Sequence, residues 1–393
     1  MHQGVTAWGG LRKGAGGASW PALQIGDLRV PSPIVQGGMA VGISLSGLAS
    51  AVANAGGIGV IATAGIGWDE PDFETNFREA NIRALRRHIR IARAQSNGVL
   101  GVNIMVALTN YDDLAATAVE EGVDIIFSGA GLPLTLPKFT QGANSPKLAP
   151  IVSSGRAADI VCRKWRSHYK RLPDVVVVEG PKAGGHLGFK PEQIDRQEYA
   201  LGKILPEVLE TLAPYEALAG RPIPVIAAGG VYSGADVWSM LRLGAAGCQM
   251  GTRFVATEEC DASDNFKQSY LAAKKEDIQI IQSPVGLPGR AIANCLTREA
   301  AKGSRMPGRC LLNCLKSCTG PKACFCISAR LIQARCGDVL EGLVFAGENA
   351  WRVNEIVSVP ELMDSLAQEY ESRELMERAS LILEIGREAA SPA

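Results

Sequence analysis

Residues 99–128, VLGVNIMVALTNYDDLAATAVEEGVDIIFS, decide the fold class. Two apolar runs, Val99–Met105 and Val123–Ser128, flank a stretch, Asp112–Glu121, that has the spacing of an amphipathic helix. The runs are rich in Val and Ile and lack polar alternation, which is how parallel strands buried on both faces read. The same unit recurs on either side. Further apolar runs are Ser32–Gln36, Ile58–Thr63, Leu148–Val152, Val175–Glu179, Pro224–Ala228 and Gly247–Met250, giving eight candidate strands in all. Helical spacing fills the gaps at Leu45–Ala55, Thr75–Arg93, Ala157–Lys170, Ile204–Leu218 and Ala235–Leu243. Eight strand–helix alternations predict an α/β protein, a closed (β/α)8 TIM barrel, rather than an open doubly wound sheet. No G-x-G-x-x-G turn follows an early strand, so a dinucleotide fold has no support.

The length agrees. A (β/α)8 barrel takes about 250 residues as one domain, and the chain has 393. The division expected is an N-terminal tail over 1–24, a barrel over 25–294, and a C-terminal Cys-rich segment with helices packed on the barrel over 295–393. Beyond Arg253 the pattern predicts a helix at Asp264–Lys275, an extended stretch at Ile278–Pro284 and a loop at Val285–Arg290. Val359–Ala390 reads as one or two surface-facing helices. Forty basic and forty acidic residues leave no net charge, and no Lys/Arg-rich run stands out. Electrostatics therefore give no case for nucleic acid or an anionic membrane. No apolar run reaches membrane-span length, and Met1–Pro21 lacks an apolar signal core. The expected location is cytoplasmic, and a homodimer stays open.

In a barrel of this kind the site lies at the C-terminal ends of the strands. Those ends carry Gln36-Gly37-Gly38-Met39, Asn103, Glu179-Gly180-Pro181-Lys182-Ala183-Gly184-Gly185-His186, Gly229-Gly230 and Gln249-Met250-Gly251-Thr252. One Gly pair would mean only a tight turn. Two at successive strand ends favour a phosphate site, since backbone N–H groups can then approach an anion at a helix start. Ser233 opens the seventh helix as a cap or a ligand. The Gly37–Met39 backbone can lie against a flat ring, and Asn103 offers both a donor and an acceptor to its edge. His186 is one of four histidines. It follows Ala-Gly-Gly at a strand end, where a core histidine would be odd, and its ordinary pKa suits proton transfer. His2, His88 and His168 read as surface residues.

Ten cysteines are present, and Cys310, Cys314, Cys318, Cys324 and Cys326 share one short stretch. A chain of this length without an export signal is no disulfide scaffold, which leaves a metal site or free thiols. Cys310, Cys314 and Cys318 recur at i, i+4 and i+8, so a helix would bring their thiols to one face. Cys326, or Cys324, would then close a four-thiolate set for an iron–sulfur cluster or a structural zinc. The spacing matches no paired C-x2-C pattern.

These residues together resemble the nitronate monooxygenase (2-nitropropane dioxygenase) family and the related flavin-dependent enoyl-ACP reductases. The resemblance is carried by Pro33–Met39, Asn54–Gly59, Gly101–Met105, Glu179-Gly180-x-x-Ala183-Gly184-Gly185-His186, Ala227–Val231, Gln249–Phe254 and Pro288–Ala291, and covers about Ile25–Asn294. It implies FMN at the barrel top, with its phosphate on Gly229-Gly230 and Gly251-Thr252. The ring would lie over Gly37–Met39 near Asn103 and the Lys182–Gly185 loop, with Gln36, Glu179, Gln249 and Met250 also at the cofactor. His186 matches the family's active-site histidine. Pro181-Lys182 departs from the enoyl branch, where an acidic or small residue would be unremarkable. A subgroup of the family carries cysteines arranged as here, which implies a [4Fe-4S] cluster on Cys310, Cys314, Cys318 and Cys326, zinc being the other metal reading. A cluster would favour reductive chemistry.

The resemblance implies oxidation of a nitronate with oxygen. The alternatives are NAD(P)H-dependent reduction of an enoyl thioester, and a flavin/Fe–S redox sensor signalling through the cysteines. The partner is a small-molecule substrate, a nitronate or an enoyl thioester, in either enzymatic case.

Overall fold

The computed structural model describes residues 20–140, 142, 145–304, 310, 312–318 and 323–390. A short hairpin, β1 (Leu23–Ile25) with β2 (Leu28–Val30), precedes eight parallel strands that close on themselves. In order around the barrel these are β3 (Ile34–Gln36), β4 (Ile58–Ala62), β5 (Val99–Met105), β6 (Ile125–Gly129), β7 (Lys147–Val152), β8 (Val176–Glu179), β10 (Val225–Ala228) and β11 (Gly247–Met250), which pairs back to β3. A two-residue β9 (Gly185–His186) follows β8 outside the barrel. All eight expected strands are present, the first shorter at its N-terminal end.

Strand faces alternate, so Val35, Val60, Ile125, Phe127, Val177 and Ile226 fill the interior. Leu23, Ile25 and Val30 from the hairpin join that cluster and plug one end of the barrel. The other strand faces meet an outer ring of helices: α1 (Ser46–Asn54), α2 (Phe77–Gln95), α3 (Tyr111–Glu120), α4 (Gly155–Tyr169), α5 (Leu201–Ala219) and α6 (Gly234–Arg242). Ser233 proves to be a cap: its Oγ accepts from the Asp236 N–H, and the Asp236 carboxylate accepts from the Ser233 N–H in return. The start of α1 is capped from far away in sequence. Asp261 accepts from the N–H groups of Leu45 (2.7 Å), Gly47 (3.1 Å) and Leu48 (3.1 Å).

His88 departs from the expected surface position. It falls on the face of α2 that carries Ala84, Leu85, Ile89 and Ala92 into the core, and its Nδ1 lies 3.0 Å from Ser46 Oγ. Burial pushes its pKa down to about 4. His168 is exposed as expected, and His2 lies outside the described residues.

After the short α7 (Thr252–Val255) comes α8 (Asp264–Ala272), then β12 (Ile278–Gln282) and β13 (Pro288–Ile292). The second of these replaces part of the expected loop. Pro288–Arg290 is strand because β13 is the middle of a small antiparallel sheet, with β12 on one side and β9 on the other. The chain continues through α9 (Cys295–Ala301), the Cys-rich stretch, α10 (Ile327–Arg335) and α11 (Val359–Ala390). That last element is a single helix, and it is not wholly a surface one. Val359, Leu362, Met363 and Leu366 are buried where α11 crosses α6.

Cys310, Cys314 and Cys318 are not on a helix. Asn313 between them has φ of 41°, a left-handed turn, and the backbone there is taken up by the loop after β5. Thr109 N–H donates to Cys314 O (3.1 Å), Lys316 N–H donates to Ala107 O (2.9 Å), and Leu315 bridges to Leu108. Pairing with a distant segment wins over the local i, i+4 spacing. None of the ten cysteines is in a disulfide. Among the described residues no three His, Cys, Asp or Glu side chains are grouped as ligands of one metal, although Cys310 and Cys326 lie near enough to Cys314 to act on its thiol.

Candidate active site

One cavity of about 830 Å³ opens at the C-terminal ends of the barrel strands, where loops rather than helices meet. The strand-end residues singled out above line it, from Gly37–Met39 through Asn103, Glu179, Lys182–His186 and Gly229-Gly230 to Gln249–Thr252. Gln36 is the exception. It is wholly buried, its Nε2 donates to Gly37 O, and its Oε1 accepts from Val60 N–H (2.8 Å). It braces the wall from behind and does not face the cavity.

The floor is made by the absence of side chains. A Cβ on Gly38 would stand 2.3 Å from the Asn103 Cβ, so the first strand end can pass Asn103 only as glycine. Gly229 and Gly230 have φ of 87° and 98°. A Cβ on either would meet Gly180 O at 2.6 Å or Lys182 Cβ at 2.8 Å. Their backbone is therefore bare toward the cavity beside the start of α6. That is a cradle suited to an anion.

Lys182 runs alongside this cradle. Its Nζ pairs with Glu348 Oε1 at 2.9 Å, and Glu348 N–H donates to Lys182 O (3.1 Å). Asn349 Nδ2 donates to Gly230 O (2.8 Å), so the loop near Glu348 closes over the glycine pair. Arg290 is buried beneath. Its Nη1 donates to Pro181 O (2.6 Å) and Ala183 O (2.7 Å), which fixes the turn leading to His186.

His186 Nε2 lies 2.7 Å from Ser283 Oγ, and its ring meets the Phe345 ring edge-on with centroids 5.1 Å apart. Burial among these groups pushes the imidazole pKa down to about 4, leaving it neutral near pH 7. The contact admits either tautomer; in the one whose Nε2–H donates to Ser283 Oγ, Nδ1 keeps a lone pair for a proton. Burial moves Glu179 the opposite way, up to about 7. Gln249 Oε1, also on the wall, is buried without a hydrogen-bond partner. An orphaned acceptor on a cavity wall fits a bound group that brings a donor.

Sequence reasoning missed Ser283, Phe345, Glu348 and Asn349. Ser283 stands five residues before the Pro288–Ala291 motif, which was the available signal. The other three come from the far C-terminal segment, where no motif marks them. Of the cysteines, only Cys314 among those described reaches the cavity, with its Sγ 3.0 Å from Ser328 Oγ.

A family model described as Nitronate monooxygenase matches residues 24–369. The chain is 29% identical over 279 residues to the (3aS,4S,5R,7aS)-5-hydroxy-7a-methyl-1-oxo-octahydro-1H-indene-4-carboxyl-CoA dehydrogenase of Mycobacterium tuberculosis, spanning 71% of this chain and 68% of that one. It is 28% identical over 307 residues to the nitronate monooxygenase of Pseudomonas aeruginosa, spanning 70% and 80%. Among solved structures, FabK from Thermotoga maritima matches with a TM-score of 0.68 at 26% identity, over 89% of this chain and 96% of that one.

Proposed function

The chain belongs to the nitronate monooxygenase family and is an FMN-dependent oxidoreductase of that type, and from that premise we propose that it oxidises a nitronate, with His186 as the residue acting on the substrate. The observation that carries this reading is the pairing of a bare glycine cradle at one end of the cavity with a neutral, buried histidine at the other.

The residues present fit the cofactor. Gly229, Gly230, Gly251 and Thr252 would hold its phosphate, with Lys182 supplying a cation beside them. Gly37, Gly38, Met39 and Asn103, with Ala183, Gly185, Gln249 and Met250, would border the flat ring. FMN, when bound, supplies a two-electron acceptor next to the substrate carbon. Everything else falls to the protein. Ser283 and Phe345 set the orientation of the His186 ring, and Arg290 sets the turn that presents it. Nδ1 of His186 takes the proton when the substrate arrives as the neutral carbon acid. The aliphatic walls exclude water from that exchange.

A second reading has a specific observation behind it: the similarity to a carboxyl-CoA dehydrogenase and to FabK. There NAD(P)H would deliver hydride and an enoyl thioester would receive it, with His186 orienting the carbonyl. Absorption spectra recorded without oxygen separate the two. Bleaching of the flavin by a nitronate, but not by NADH or NADPH, is expected. Rapid bleaching by a nicotinamide would move the protein to the reductase reading, and a purified protein without flavin would overturn both.

A further inference from the structure

The segment carrying the cysteines lies over the cavity. Leu315, Ile327 and Leu331 from that segment, with Leu343 and Phe345 just after it, form the cavity wall facing the strand ends. Val285 and Leu287 close it beside Ser283. This wall is fixed in place. Besides the two backbone bonds to the loop after β5, Thr109 Oγ1 donates to Asn313 O (2.8 Å) and Lys316 Nζ donates to Val106 O (2.8 Å). The cavity thus has two chemically different halves. One holds Glu179, Lys182, Asn103 and the glycine cradle. The other is largely apolar: Cys314, Ser317 and Ser328 are interspersed among its hydrophobic side chains, and its charged Lys316 is exposed.

With FMN across the polar half, a small nitronate would leave much of the other half facing water, a poor use of apolar surface. Resting on the reading above, we propose that the Cys-rich segment is the specificity wall of this enzyme. It accepts the alkyl body of a medium-chain or alicyclic carbon acid, and Leu331 sets how long that body can be. His186, with its ring against Phe345 of the apolar wall, stands between the halves, where the reacting head group of such a substrate would lie.

The test uses the flavin-loaded protein and n-alkanoates as probes. A carboxylate shares the planar two-oxygen anionic head of a nitronate but has no electrons to give, so binding is read without turnover as a shift in the flavin spectrum. Affinity should rise about fourfold per added methylene, as burial of one CH2 predicts, and then level off. Leu331→Trp should make it level off several methylenes earlier, with propionate affinity unchanged within about twofold. Leu331→Phe gives the same reading with a smaller intrusion should the larger side chain lower flavin content. A flat series in the parent protein, or the same break point in both proteins, overturns the inference. Because no turnover is involved, a protein that fails to oxidise any nitronate but shows the chain-length series would refute the oxidative reading and leave this one standing.

Discussion

The floor and the roof of the cavity are built from opposite kinds of chain. The floor is a ring of turns, each one following its own barrel strand, with close approaches at glycines such as Gly38, Gly229 and Gly230. The roof is built from residues 312–318 and 323–345, which lie far along the chain from the strands they cover and are held through contacts such as Leu108 with Leu315. Chemistry sits in the floor and its edges: the cradle, Glu179, Asn103 and His186. Shape sits in the roof. A fold arranged this way can change what it accepts by altering the roof while leaving the reacting groups alone.

The largest effect should come from the floor's edge. His186→Ala is expected to lower turnover about 100- to 10,000-fold, the range for loss of a positioned proton acceptor, with FMN content unchanged. Because burial holds the imidazole pKa at about 4, kcat/KM of the parent should hold steady as pH falls through 6.5 and drop only near pH 4. That profile is a base that works neutral and fails when protonated. Unaltered turnover in the variant would remove the catalytic assignment and break the contrast between the two halves.

Glu179 gives the next effect, on stability. Its carboxyl has a folded pKa of about 7 against an ordinary 4.5, so the folded apoprotein binds the extra proton. Stability is then lost as pH rises from about 4.5, and the loss is complete above about 7. Glu179→Gln mimics the protonated form. It should raise the melting temperature of the apoprotein at pH 8 by several degrees, on the order of 2–3 kcal/mol at most, and give no gain at pH 4.5. Equal melting at both pH values would mean the carboxyl is satisfied in the cavity by other groups.

Lys182 tests the polar end. Its ammonium is more than half exposed and already shared with Glu348, so screening limits its worth. Lys182→Ala should weaken FMN binding to the apoprotein about tenfold, equivalent to about 1.4 kcal/mol, and leave riboflavin binding within about twofold. Equal losses for both ligands would place Lys182 at the ring rather than at the phosphate.

How much of this could be read from the chain follows the same division. The barrel was legible at all eight strands because each pairing partner is reached through a repeating local pattern, Val/Ile run then helical spacing. The site floor was legible for a related reason: a glycine where a Cβ would collide, as at Gly38 against Asn103, leaves its mark at that position. Gln36 shows the limit, since a polar residue at a strand end looks the same whether it faces the cavity or turns back to Val60. His88 was misplaced because polar residues on a mostly apolar helix face read as surface until a partner such as Ser46 is known. The roof gave no such marks. The i, i+4, i+8 cysteines suggested a helix, but the carbonyl and amide of the loop after β5 were waiting for that segment, and nothing local records a contact across some two hundred residues.

The smallest expected effect therefore lies at the cysteine that invites the largest expectation. Cys314 is buried in the roof, and its thiol already has Ser328 Oγ at 3.0 Å. Burial raises its pKa, with the nearby Cys326 and Cys310 adding to the shift, so without a metal it is a poor nucleophile at neutral pH. Cys314→Ser places a hydroxyl where a hydrogen-bond partner stands ready, which keeps the cost of burying it below about 1 kcal/mol. Flavin content and turnover should both stay within about twofold of the parent, measured on protein purified without oxygen. Should flavin or bound iron fall together with activity, the roof would hold a redox centre after all, and the separation of chemistry below from shape above would fail at this residue first.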